Sequence, residues 1–158
     1  MSRPQIRIAA RAVVLDPEGR ILLVRFEFPH RSFWATPGGG VGPGETHEQA
    51  IARELHEETG LVEYELGPCI WHGERLFRVA LGRYDGQNDR FFLIRVPAFE
   101  PQPLLTVEQL RAEYVTDVRW WTQDELSASR EDFEPAQLPR LVAALAHEVP
   151  SEPLDVEA

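Results

Sequence analysis

Lysine is missing from this sequence: all 16 basic residues are arginine. That pattern fits the coding bias of a GC-rich genome and carries no functional weight. Cysteine is nearly missing as well. Cys69 alone cannot build an internal disulfide framework, and no Cys/His spacing supports a structural zinc site. No apolar run approaches the roughly 20 residues of a membrane helix. The start, Met1-Ser2-Arg3-Pro4-Gln5, lacks the apolar stretch of a secretory signal. A cytoplasmic protein is expected. Positive charge is also in deficit, with 26 acidic against 16 basic residues and a net charge of −10. Such a surface repels nucleic acid and anionic lipid. It still admits a small anionic substrate, provided that arginines or a divalent metal compensate locally.

What remains is an ordinary globular composition, 43% hydrophobic and 27% charged over 158 residues. A chain of that length buries roughly two-thirds of its unfolded surface, so one domain can form its own core. A single domain is expected over 1–158, with its core at about 5–148 and a frayed tail over 149–158. Ile6–Leu15 and Ile21–Phe26 are rich in β-formers. They flank Asp16-Pro17-Glu18-Gly19 and read as an antiparallel hairpin. Phe33–Thr36 reads as a short strand. The stretch from Gly38 to Gly44 holds five glycines in seven residues, too many for a helix or a central strand. Thr46, with Gln49 three residues on, fits a capping box, and Gly60 fits a C-terminal stop. A helix is therefore expected over Thr46–Thr59. Further strands are expected near 65–72, 76–81, 90–96 and 115–121, with a turn at Tyr84–Asn88. A short helix starts near Thr122, and an amphipathic helix covers Pro139–His147. Strands on both sides of one strong helix indicate an α/β or α+β sandwich.

Glu54, Glu57 and Glu58 stand at i, i+3 and i+4, so they share one face of that helix. Three like charges there cost a bare helix a few tenths of a kcal/mol each. A hard divalent cation reverses the balance, because carboxylate oxygens suit Mg²⁺. Ile51 and Leu55 would hold the opposite side in the core. The glycine loop lies just before the helix and lets a ligand approach the backbone. A phosphorylated substrate is the natural partner for such a pair. Taken alone, an acidic trio is most often a solvated face and a glycine cluster a plain surface loop.

The spacing raises both above that bland reading. Gly39, five residues, Glu45, seven residues, Arg53-Glu54-Leu55, one residue, Glu57-Glu58, one residue, Gly60-Leu61 resembles the Nudix box at all nine defining positions. Trp34-Ala35-Thr36-Pro37-Gly38-Gly39 before it is similar to the family too. The resemblance implies an α/β/α sandwich with a mixed sheet. It also implies Mg²⁺-dependent (sometimes Mn²⁺-dependent) hydrolysis of a nucleoside diphosphate linked to another moiety. By motif position, Glu54, Glu57 and Glu58 would be metal ligands, with the Gly39 carbonyl as a further one. Arg53 would orient the glutamates, and Glu45 would support Arg53 or a metal-shell water. Glu54 or Glu57 could act as base. A loop glutamate outside the box often does so in the family, and Glu113 is the candidate, with Glu108 second.

Substrate contacts are less defined. Phe26, Phe28, Trp71 or Phe77 could stack on a nucleobase, and Arg25, Arg31, Arg75 or Arg78 could meet phosphates. Each competes with a plainer role, aromatic core or surface arginine. His47 and His56 are expected on the surface, His72 is uninformative, and Cys69 is expected to be a small buried residue. The signatures of ADP-ribose, NADH, diadenosine polyphosphate and coenzyme A hydrolases are absent or displaced. A (deoxy)nucleoside triphosphate is the favoured substrate, with ADP-ribose or a dinucleoside polyphosphate as alternatives. The expected partner is this small nucleotide, without membrane or stable nucleic-acid binding, and a homodimer is left open. A non-catalytic nucleotide sensor is the competing class. A prenyl diphosphate isomerase lacks support, since Cys69 has no recognisable catalytic partner.

Overall fold

The computed structural model describes residues 3–81 and 84–156, with the side chains of residues 77–81 outside the description. Among the described residues, nine strands and four helices follow in order. The strands are β1 (Ile6–Leu15), β2 (Ile21–Phe28), β3 (Arg31–Ala35), β4 (Gly38–Gly40), β5 (Cys69–Leu81), β6 (Tyr84–Arg95), β7 (Val115–Trp121), β8 (Phe133–Glu134) and β9 (Leu154–Asp155). The helices are α1 (His47–Thr59), α2 (Val107–Ala112), α3 (Gln123–Ala128) and α4 (Leu138–Leu145). All strands join one mixed sheet, in the order β8-β3-β2-β1-β6-β5-β9, with β4 on β1 and β7 on β2.

Two apolar clusters explain the layers. One gathers Ala10, Ala12, Val14 and Leu22 against Ala50, Ile51 and Leu55 of α1. The other gathers Val13, Leu15, Ile21, Leu23 and Trp34 against Leu126 of α3 and Leu138, Val142 and Leu145 of α4. Even positions of β1 and β2 face α1 and odd positions face α4, the period of a strand. The result is the expected α/β/α sandwich with a mixed sheet. No helix among the described residues is long and apolar enough to cross a membrane.

Several elements differ from the sequence reading. The β1–β2 hairpin closes at its turn, where Gly19 takes φ 82°, but only Leu15 and Ile21 pair across it. The long partner of β1 is β6, in parallel from Ile6–Gly86 to Leu15–Arg95. The strand expected at 65–72 starts only at Cys69 and runs on through the one expected at 76–81 as the single β5. Tyr84–Asn88, expected as a turn, is the start of β6. The glycines 38–40 form a strand after all, antiparallel to β1. Gly38 has φ 139°, and a Cβ there would sit 2.2 Å from the Ala10 carbonyl oxygen. Glycine is what lets this strand lie so close. The segment expected as a frayed tail supplies β9, which pairs with Trp71 and His72, and Val156 is buried.

Candidate metal and phosphate site

Helix α1 begins as expected. Thr46 caps it by accepting from Gln49 N–H, and the Gln49 side chain returns to Thr46 N–H. Gly60 closes it in the left-handed conformation, with its N–H on His56 O. Nothing larger fits at Gly60, because a Cβ would meet the Gln102 carbonyl oxygen at 2.2 Å. That contact marks the returning chain. Gln102 N–H donates to Thr59 O and Leu104 N–H to His56 O, which satisfies terminal carbonyls of α1. The same return starts α2 beside Glu57, with Leu105 N–H on Glu57 O, and the C-cap of α2 is Glu113.

Carboxylate oxygens of Glu54, Glu57 and Glu113 consequently lie within 4.8 Å of one another. Burial first, and the neighbouring Glu54 charge second, push the Glu57 and Glu113 carboxyls above the usual range. Arg53 ties the group to the glycine strand. Its Nε and Nη2 donate to both oxygens of Glu45, Nη1 donates to Glu54 at 2.8 Å, and Nη2 also reaches Gly40 O. Glu57 lies 3.8 Å from the same guanidinium. The Arg53 hydrogen bonds, with help from Gly42 N–H, hold the Glu45 carboxyl down at about 2. Gly39 leaves room for Glu54: a Cβ there would stand 2.6 Å from Glu54 Oε1.

Glu58, expected on the same acidic face, turns inward. It is 2% exposed and accepts Gly38 N–H at 2.9 Å. Burial, then Glu54, raises its carboxyl well above the ordinary range. The i+4 position sits at the edge of the acidic face, and the close approach of β4 covers it. No other hydrogen bond uses this carboxylate among the described residues. Glu108, the second choice of loop base, lies in the first turn of α2 and not in the cluster, while Glu113 is at the other end.

The proposed substrate contacts divide. Arg25 follows the odd-numbered face of β2, away from α1, and bonds Glu27 and Thr116. Arg31 and Arg75 converge on Glu134, at 2.6 and 3.9 Å. Trp71 is 1% exposed and packs in the core, so it cannot receive a base. Phe26 and Phe28 are half-buried and exposed respectively. The Phe77 and Arg78 side chains lie outside the described residues. His47, expected on the surface, is part-buried near Phe92. Cys69 is only partly buried, its thiol donating to Trp71 O.

A polar network under the site went unread in the sequence. Arg11 donates to Asp89 Oδ1, Gln87 donates to the same oxygen, and Arg7 donates to Gln87. Arg11 also lies 3.4 Å from Gly38 O. Burial weakens the Arg11 charge, but Asp89 and Glu58 more than offset it and its pKa rises. The signal was available: two arginines four apart, on one face of an otherwise apolar β1.

A family model described as NUDIX domain matches residues 5–143. Among known proteins, the chain is similar to an RNA pyrophosphohydrolase of Erythrobacter litoralis, 28% identical over 154 residues, 90% of this chain and 85% of the relative. It is also similar to an RNA pyrophosphohydrolase of Wolbachia pipientis subsp. Culex pipiens, 30% identical over 129 residues, 77% of this chain and 78% of the relative. Among solved structures, the NUDIX domain of Shewanella oneidensis NrtR complexed with ADP ribose matches with a TM-score of 0.66 at 20% identity, over 92% of this chain and 90% of that one. The MutT protein from Methanosarcina mazei Go1 matches with a TM-score of 0.65 at 16% identity, over 94% of this chain and 100% of that one. At such identities the structural likeness speaks for the fold.

Proposed function

The chain belongs to the NUDIX domain family and is a Nudix hydrolase, and from that premise we propose Mg²⁺-dependent hydrolysis of a diphosphate linkage in a (deoxy)nucleoside triphosphate or related nucleotide. The observation that carries the reading is the convergence of Glu54, Glu57 and Glu113 within 4.8 Å, anchored by Arg53 beside a glycine strand. Their all-oxygen donor set suits a hard cation, and Gly39 leaves the space that Glu54 occupies. Glu54 and Glu57 would hold Mg²⁺, with the spare oxygen of Glu58 and the Gly39 carbonyl as further ligands and Glu113 beside them. Bound there, the cation neutralises phosphoryl charge and lowers the pKa of water.

The chain's own groups do the rest. Arg53 keeps Glu54 in place and keeps Glu45 out of the cluster. Glu113 takes the proton of the attacking water as its oxygen bonds to phosphorus and the anhydride P–O bond breaks, releasing the second phosphate group. Glu57 is the alternative base. Arg31 and Arg75, which converge on Glu134, stay the candidate phosphate contacts, whereas Arg25 faces away. Every residue named comes from one chain, so the reading requires no dimer. The cytoplasmic expectation belongs to this proposal as well.

A 5′-triphosphorylated RNA end is a second substrate reading, favoured by the names of the two similar RNA pyrophosphohydrolases. The net charge of −10 limits any grip on RNA to the end itself. The test is phosphate release with Mg²⁺ from nucleoside triphosphates, ADP-ribose, dinucleoside polyphosphates and a triphosphorylated oligonucleotide. Glu57→Gln and Glu113→Gln are expected to lose about 10²- to 10⁴-fold in turnover. Full activity in Glu57→Gln would refute the site. Nucleotide-dependent thermal stabilisation without turnover on any substrate would instead identify a sensor.

A further inference from the structure

An exposed run of aromatic rings begins one residue from the carboxylate cluster, and the reaction above does not use it. Phe26 and Phe33 pair across β2 and β3 with ring centroids 5.6 Å apart. Phe28 lies 5.9 Å from Phe33 and 4.5 Å from Tyr114, all in stacked orientation. The outer two rings face solvent, with Phe28 38% and Tyr114 48% exposed. Alternation along β2 from Leu22, which packs against α1, puts Phe26 and Phe28 on the face that carries α1. Glu54 and Glu57 belong to that helix. Tyr114 directly follows Glu113.

The backbone at Tyr114 makes the ring conspicuous. Tyr114 has φ 67° and its N–H closes α2 onto Arg111 O. Glycine or asparagine normally takes this left-handed position after a helix, and a bulky residue there is strained. A ring at this position strains the chain and exposes apolar surface, and within the fold its stacking on Phe28 is what offsets that. Strain of that kind gathers where a ligand is held. At the far end of the run, the Arg31 guanidinium sits 4.7 Å from the Phe33 centroid. Flat exposed rings with a cation beside them suit a flat aromatic group on an anionic chain.

We infer that Phe28 and Tyr114 form a stacking platform for the base of the nucleotide whose diphosphate is held at Glu54, Glu57 and Glu113. This rests on the hydrolase reading and adds where the base goes. Stacking on a ring tolerates any base, so the platform selects for the presence of a base over its identity.

The experiment compares GTP with ribose 5-triphosphate, which keeps the sugar and phosphates but has no base, in the wild type, Tyr114→Gly and Phe28→Ser with Mg²⁺. Glycine at 114 removes the ring and relieves the backbone, so its melting temperature should equal or exceed that of the wild type. The ratio of kcat/KM for GTP over the baseless probe should fall roughly 5- to 100-fold in each variant. An unchanged ratio, including an equal loss on both probes, overturns the platform and leaves the hydrolase standing. If the wild type turns over neither probe, the nucleoside triphosphate reading falls, and equilibrium binding of GMP decides the platform. Binding that Tyr114→Gly loses sustains it; equal binding in the two proteins, or none in either, removes it.

Discussion

Gly39→Ala separates the site from the fold. Gly39 lies in β4 and lacks the left-handed φ of Gly38, so alanine fits its backbone. The added methyl, however, would stand 2.6 Å from Glu54 Oε1 and 2.9 Å from Glu54 Cδ. Relief requires Glu54 to retreat from 2.6 Å to about 3.4 Å, roughly 0.8 Å. Glu54 is not free to do so, because Arg53 grips it at 2.8 Å and is itself held on both oxygens of Glu45. The strain therefore falls on the carboxylate that would meet the cation. Displaced ligands and their supports cost about 10- to 100-fold in metal affinity. A misplacement near 1 Å costs about 10²-fold in rate.

Stability should barely notice. Glycine-to-alanine at a compatible φ gains about 0.4–1 kcal/mol through the unfolded chain, and the local crowding offsets this. The assay is Mg²⁺-dependence of kcat/KM together with metal-free thermal melting. Expected are a half-saturating Mg²⁺ concentration raised about 10- to 100-fold and a melting temperature within a few degrees of wild type. Gly38→Ala is the contrast. There φ is 139° and the Cβ would lie 2.2 Å from the Ala10 carbonyl oxygen, so the fold itself should fail. Wild-type Mg²⁺ response in Gly39→Ala, or melting as poor as in Gly38→Ala, would refute the reasoning.

Two further outcomes are expected. Glu57, Glu58 and Glu113 have folded pKa values above 4.5, so the stability they carry is full below that pH and is lost as pH rises through the raised values. Metal-free melting temperature should fall as pH rises above about 4.5, and the increment from saturating Mg²⁺ should grow as it does; a flat increment would contradict the sign. Deleting residues 154–158 removes β9 and the buried Val156, which should cost about 1.5–3 kcal/mol in urea unfolding. No loss would show the last strand to be ornamental.

The acidic helix was legible because its signals are local. Thr46, Gln49 and Gly60 write its ends, and Glu54 and Glu57 follow from a 3.6-residue period. Glu113 was reachable only by position in the chain, since what brings it to Glu57 is the return of residues 102–105 along the end of α1. Nothing in the composition of that loop announces those hydrogen bonds. Pairing was the least legible feature. The turn at Asp16–Gly19 suggested that β1 and β2 zip together, yet β1 prefers β6, whose paired residues lie 80 further along the chain and where Arg11 finds Asp89. The glycine run misled for a related reason. Glycines are poor in most strands, but β4 is pressed between the β1 backbone, Glu54 and Arg7, and side chains would not fit there. The tail misled because prolines and acidic residues hide its two apolar anchors, the partly buried Val149 and the buried Val156.

Charge balance links these features. Glu45, Glu54, Glu57, Glu58, Glu113 and Asp89 are six carboxylates, while the guanidiniums bonded within the site and its underlying network belong to Arg7, Arg11 and Arg53. Those three are committed: Arg53 to Glu45 and Glu54, Arg11 to Asp89, Arg7 to Gln87. Stability alone would favour an apolar residue at the buried Glu58, because an under-compensated interior carboxylate is costly. The chain instead keeps the excess, and burial pushes Glu57, Glu58 and Glu113 toward their protonated forms. Under the proposed function, a dication that binds only the folded protein would offset that cost by linkage, so the charge that weakens the metal-free fold would be the same charge that holds the metal. Neutralising Glu57 or Glu113 should then raise metal-free stability while it removes activity, a pairing that a purely structural acidic cluster would not produce.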